Sequence, residues 1–329
     1  MRYCRPITGA EGPGAERLAA GPCLVDRVEL LERGRAPEVV PVTEMTGAEA
    51  DRLFAARPPI CGIGMDRARV MGILNVTPDS FSDGGRHDAP DAARARVDAM
   101  VAQGAEIIDI GGESTRPGAA EVPTEDEIAR VLPALEAARG RVVSIDTRKA
   151  AVAAVALEAG AGIVNDVSGL LFDPEMAATV ASAEAPVILM HSRGTPETMA
   201  DETDYGDVVL DVYDALSDRI MAAEAAGIPR ARIVADPGIG FAKTAAQNRA
   251  ILRRLSLLHG LGVPILLGAS RKRFIGAIGG ADRAEDRVPG SLAVALHGAA
   301  QGVQILRVHD VAETRQALAL RDAILREDS

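Results

Sequence analysis

The chain has 329 residues, with 36 basic against 47 acidic side chains and a formal charge of −11. That balance excludes the broad positive field of a nucleic-acid or acidic-membrane binder, and 47% apolar with 25% charged residues excludes wholesale disorder. Aromatic residues make up only 2% and Trp is absent, so the core must be built from Ala, Val, Leu and Ile, as in buried parallel strands under Ala-rich helices. No apolar run approaches the roughly 18 residues of a membrane span, and the first residues lack the apolar segment of a secretory signal. Arg2, Arg5 and Arg17 keep a transit-peptide reading open. Cys4, Cys23 and Cys61 are odd in number and without CxxC spacing, which reads as free thiols in a reducing cytoplasm.

In chain order, residues 1–62 predict a small mixed α/β appendage without chemical signature. It holds strands at 23–31 and near 38–42 and a helix over 46–56, N-capped by Thr46 and broken by Arg57-Pro58-Pro59. From residue 63 to 329, short Val/Ile/Leu-rich strands alternate with helix-forming stretches. The strands are expected at 70–76, 105–110, 141–145, 162–165, 186–190, 232–235, 264–268 and 304–308. Eight such units predict an α/β fold with a parallel sheet, closed as a (β/α)8 TIM barrel rather than open and doubly wound.

A barrel requires its chemistry at the carboxyl ends of the strands, and polar clusters stand there. Arg307 and His309, two apart on an extended strand, share a face. They form either a cationic pocket for phosphate or pyrophosphate or an ion pair inside the barrel with a neighbouring carboxylate. Asn75, ending the first barrel strand, offers an amide oxygen suited to a hard cation such as Mg²⁺, or is simply a turn residue. Asp146, Asn165 and Asp236 end three different strands. They would recognise the edge of a ring carrying N–H donors or cap the helices that follow, a reading strongest for Asp146.

Ser270-Arg271-Lys272 opens a helix whose free N–H groups suit an anion, with Lys272 placed to hydrogen-bond a substrate heteroatom. The long segments 77–89 and 111–123 read as water-excluding lids or as disorder. Several motifs fail. Gly112-Glu113-Ser114-Thr115-Arg116 lacks the last Gly of a nucleophile elbow. Pro237-Gly238-Ile239-Gly240-Phe241-Ala242-Lys243-Thr244 has Ala where a phosphate-binding loop needs Gly before its Lys. No HExxH occurs, and five scattered His give no zinc set.

Taken together these loops resemble the dihydropteroate synthase family. The likeness runs through Met71-Gly72-Ile73-Leu74-Asn75-Val76-Thr77-Pro78-Asp79-Ser80-Phe81-Ser82-Asp83-Gly84-Gly85 and Asp109-Ile110-Gly111-Gly112-Glu113-Ser114-Thr115-Arg116-Pro117-Gly118. It continues in Ser144-Ile145-Asp146-Thr147, Asn165-Asp166-Val167-Ser168-Gly169, Asp236-Pro237-Gly238-Ile239-Gly240-Phe241, Ser270-Arg271-Lys272 and Arg307-Val308-His309-Asp310, and covers residues 69–325 in order. The resemblance implies a transferase of folate biosynthesis, an alkyl transferase other than a methyl one. It would condense 6-hydroxymethyl-7,8-dihydropterin pyrophosphate with p-aminobenzoate.

On the same ground Asn75 would help hold Mg²⁺, and Arg307 and His309 would bind the pyrophosphate. Asp146, Asn165, Asp236 and Lys272 would line the pterin pocket, and Phe81, Thr115, Arg116, Pro117 and Ser270 the p-aminobenzoate site. Homodimerisation and sulfonamide binding are further family expectations. Ala242 and Ser192-Arg193 depart from the family pattern without removing a named contact. Two alternatives are a related barrel that moves a methyl group from a reduced folate, against which Arg307 and His309 speak, and a catalytically silent pterin-binding protein.

Overall fold

The computed structural model describes residues 1–10, 14–76, 89–116 and 118–325. Its first unit is a four-stranded sheet in which β3 (Leu24–Glu32) pairs antiparallel with β1 (Arg2–Thr8), β2 (Glu16–Arg17) and β4 (Glu38–Pro41). The two expected strands lie within a residue of their predicted places. Helix α1 (Gly47–Phe54) starts at the expected Thr46, whose side chain accepts from the Glu49 amide while Glu49 reaches back to the Thr46 amide. β1 and β2 were not foreseen, and β1 contains Pro6. It is tolerated because β1 is an edge strand, pairing only with β3. The sheet and α1 share a small core of Cys4, Leu18, Cys23, Val25, Val28 and Leu53.

The second unit is the barrel. Its strands are β5 (Arg69–Asn75), β6 (Ile107–Gly111), β7 (Val143–Asp146), β8 (Ile163–Asp166), β9 (Val187–Met190), β10 (Ile233–Asp236), β11 (Leu266–Leu267) and β12 (Ile305–Val308). All pairings are parallel, in the order β10-β9-β8-β7-β6-β5-β12-β11, and a parallel bridge between Ala235 and Ile265 closes the ring. Helices α2 (Ala89–Ala102), α3 (Thr124–Ala137), α4 (Ala150–Glu158), α5 (Met176–Ser182), α6 (Val208–Ala225) and α7 (Ala245–Arg253) follow successive strands. α8 (Arg273–Gly279) and α9 (Val288–Ala300) both lie between β11 and β12, and α10 (Val311–Ile324) ends the described chain. The fold is the expected α/β TIM barrel.

The two-residue period of the strands sorts the interior into layers. Met71, Ile107, Ile163, Ile188, Val234, Leu266 and Ile305 point inward in a single apolar cluster near the amino ends. Ile60 and Met65 join that cluster, and an antiparallel bridge pairs Ile60 with Ile63. The short stretch on either side of residue 62 therefore plugs the amino end of the barrel as one piece. Two residues further along come Asp109, Asn165, Asp236 and Arg307, with Gly268 just past β11 and the apolar Ile73 and Met190 on β5 and β9. The apolar floor thus gives way to a polar layer at the opposite mouth.

Candidate active site

Arg307 organises the polar layer. Its Nε donates to Asp109 Oδ2 at 2.6 Å and its Nη2 to Asp146 Oδ2 at 2.5 Å. Asn165 Nδ2 lies 3.4 Å from both Asp109 oxygens. Of the two readings of Arg307, its Nε and Nη2 thus realise the buried ion pair. Burial works against the guanidinium charge, but Asp109 and Asp146 outweigh it and raise its pKa. Burial pushes the Asp146 carboxyl up to about 7, with Arg307 opposing. Asp146 does not cap the following helix: the Ala150 amide donates instead to Asp173.

Asp236 ends β10, and its Oδ1 accepts from the Gly238 amide at 2.7 Å. Burial raises its pKa, with Lys272 opposing. Lys272 donates to the Ile239 carbonyl and stands 4.4 Å from the centre of the Phe241 ring; burial pushes it down to about 8, against the pull of Asp236. Gly238 and Gly240 both have positive φ, and a Cβ on Gly238 would lie 1.9 Å from the His191 carbonyl oxygen. Only glycine lets this loop press onto the end of β9 while delivering Ile239 to Lys272.

His309 is a neutral imidazole: burial, then Arg307 and Arg271, push it down to about 3. Ser270 Oγ accepts from the His309 amide at 3.2 Å and lies 3.1 Å from its Nδ1. The contact serves either ring tautomer, since the hydroxyl can donate to Nδ1 or accept from Nδ1–H. Arg271, with positive φ, is held by Asp310 through two hydrogen bonds. Asn75 ends β5 half-buried, in register with Gly111. Thr115 is half-buried and Arg116 exposed on the loop after β6. Phe81 and Pro117, and the segment 77–88 expected as a lid, lie outside the described residues.

Three groups escaped the sequence reading. Asp109 carries no role in it, although its position two residues from Ile107 on β6 already places it inward. Glu113 accepts from Arg148 and from the Val122 amide at 2.9 Å, while Lys149 donates to the Val122 carbonyl at 2.6 Å and to Glu127 at 2.7 Å. Both polar groups of Val122 are gripped, which fixes the returning limb of the β6–α3 loop. The third group, Lys243 with His191, lies beneath the β10–α7 loop. Glu113 and Lys243 stand in the two motifs that failed above, and nothing local marks the partners they take here.

Among the described residues no cluster of three or more His, Cys, Asp or Glu forms a metal cage. The barrel mouth thus gathers a buried arginine–carboxylate network, an amide and a lysine at the carboxyl ends of the strands, where an enzyme of this fold keeps its chemistry. The model of the family described as pterin binding enzyme matches residues 71–309, and the chain belongs to that family. It is 45% identical over 287 residues to the dihydropteroate synthase of Synechocystis, covering 84% of this chain and 99% of that protein.

Two solved structures are similar. One is Xanthomonas albilineans dihydropteroate synthase with 4-aminobenzoic acid, 46% identical, TM-score 0.77, covering 83% of this chain and 99% of that one. The other is the Yersinia pestis enzyme with a sulfonamide drug complex, 44% identical, TM-score 0.75, covering 80% and 96%. Each similarity leaves about a sixth or more of this chain unmatched, and the family model begins only after the four-stranded sheet.

Proposed function

We propose that the protein is a dihydropteroate synthase of folate biosynthesis, condensing 6-hydroxymethyl-7,8-dihydropterin pyrophosphate with p-aminobenzoate to give 7,8-dihydropteroate and pyrophosphate. The observation that carries this reading is the single polar layer in which Asp146, Asn165 and Asp236 meet Arg307 and Lys272 at the carboxyl mouth. Asp236, Asn165 and Asp146 take the donor edge of the pterin and Lys272 an acceptor on its ring. Arg307 and His309 take the departing diphosphate. The bond from the exocyclic methylene to oxygen breaks, and the electron pair leaves with pyrophosphate. The electron-rich reduced ring and the Asp146 carboxylate stabilise the methylene cation. The arylamine nitrogen then attacks that carbon and loses its proton. Thr115, Arg116 and Ser270, with Phe81 and Pro117, shape the p-aminobenzoate site. No protein nucleophile is needed, in keeping with the failed elbow motif.

Asn75 suits Mg²⁺, an oxygen-seeking ion that keeps waters and shares phosphate oxygens; when bound it supplies neutralising charge to the leaving group. The decisive experiment mixes the purified protein with both substrates and Mg²⁺ and looks for dihydropteroate. Absence of product overturns the reading. Chelating the metal is expected to lower turnover by about 100-fold or more; a rate unaffected by chelator removes Mg²⁺ from the account.

Among the described residues no helix is long and apolar enough to cross a membrane, and the free thiols Cys4, Cys23 and Cys61 suit a cytoplasmic enzyme. A homodimer is part of the same proposal, checked by light scattering.

A further inference from the structure

We propose that Lys243 is a positioning residue for pterin recognition, holding the β10–α7 loop so that Asp236 and Lys272 stay aimed at the ring. The inference rests on the pterin reading of the pocket given above. Lys243 lies outside the set of ring-contacting side chains and is 8% exposed. Its Nζ donates to the Phe241 carbonyl at 2.9 Å and the Gly238 carbonyl at 3.1 Å, and lies 2.9 Å from His191 Nδ1 and 3.3 Å from the His191 carbonyl. One amino group thus ties two carbonyls of the loop to the end of the neighbouring strand.

The tie acts where the ring-recognition groups depend on backbone position. Gly238 donates its amide to Asp236, and the Ile239 carbonyl, one residue on, receives Lys272. Asn248 completes the clamp by accepting from the Gly240 amide at 2.7 Å. The arrangement survives either protonation state. An ammonium donates to both loop carbonyls and to His191 Nδ1; a neutral amine still donates to both carbonyls and accepts from Nδ1–H. Burial pushes Lys243 down to about 7, with Asp236 opposing, and pushes His191 down to about 2, so the imidazole is neutral beside it. Without Lys243 the Gly238 carbonyl keeps only the Phe241 amide, at 3.1 Å, and the Phe241 carbonyl loses this donor, so the tie between the loop and the end of β9 is released.

The test compares wild type with Lys243→Met, Lys243→Gln and Asp236→Asn. Pterin-6-carboxylic acid binding is followed by calorimetry, and KM is measured for each substrate. Lys243→Met is expected to weaken pterin binding at least 10-fold while the KM for p-aminobenzoate stays within 2-fold. Lys243→Gln, which keeps two N–H donors, should fall between Met and wild type. Pterin affinity equal to wild type in Lys243→Met, alongside loss in Asp236→Asn, overturns the inference and leaves the pocket reading intact. A parallel rise in both KM values, or loss of cooperative unfolding in both Lys243 variants, also overturns it, because the role is then general to the core. Unchanged affinity in Asp236→Asn overturns the pocket reading and the inference with it.

Discussion

Asp236 and Lys272 illustrate how a single residue is placed by chemistry that local sequence cannot display. Each is drawn away from its usual pKa by burial and held back by the other, so removing either leaves a buried charge uncompensated. Asp236→Ala and Lys272→Ala are each expected to lower kcat/KM by about 100-fold, the scale of a lost charged hydrogen bond; near-normal steady-state rates in both would sink the ring-binding assignment. His259 shows a different residue-scale effect. Burial, reinforced by Arg57, pushes it down to about 3, so the unfolded chain takes up a proton below about pH 6.5 and the folded chain does not. Its share of stability is complete above that pH and is lost as pH falls. His259→Gln should flatten the stability decline between pH 6.5 and 5 by about 1 kcal/mol per pH unit, as read by denaturant unfolding. Identical slopes in variant and wild type would remove His259 from the linkage.

At the scale of elements, the β6–α3 loop is held at its base by buried charges. The Glu113 carboxyl is held below its usual range although burial raises it, because Arg148 and the Val122 amide more than compensate. Glu113→Gln should cost about 3 kcal/mol, since Arg148 then loses its buried counter-charge. It should also raise the KM for p-aminobenzoate more than that for the pterin substrate, because Thr115 and Arg116 ride on this loop. Thermal unfolding with paired KM values checks it; an unchanged melting temperature counts against the clamp. The strands themselves were legible in advance because β-branched runs bounded by Gly and Pro mark them directly. The two-residue period would equally have placed Asp109 inward on β6. Lys149 reads locally only as the start of a helix, and its grip on Val122 crosses 27 residues.

Across the whole molecule, the four-stranded sheet is tied to the barrel by named contacts. The Tyr3 and Tyr213 rings meet edge to face at 5.3 Å, Tyr3 donates to Asp214 at 2.9 Å, and Ser256 donates to the Pro6 carbonyl at 2.8 Å. Tyr3→Ala is expected to destabilise the protein by about 3 kcal/mol. Removing residues 1–56, which spares the plug formed by Ile60 and Met65, should lower the melting temperature further by exposing the same faces of α6 and the segment around Ser256. A truncated chain as stable as the full one would make the sheet dispensable for the barrel. The barrel was readable because alternation and period are properties of neighbouring residues, and so was the list of polar groups at the strand ends. The partners of those groups were not. Arg307 finds Asp109 across 198 residues and Asp146 across 161, and such meetings exist only once the sheet has closed. Sequence by itself determined which strands form and which mouth carries the chemistry; tertiary structure decided which charges face one another, because that depends on ring closure and not on spacing along the chain.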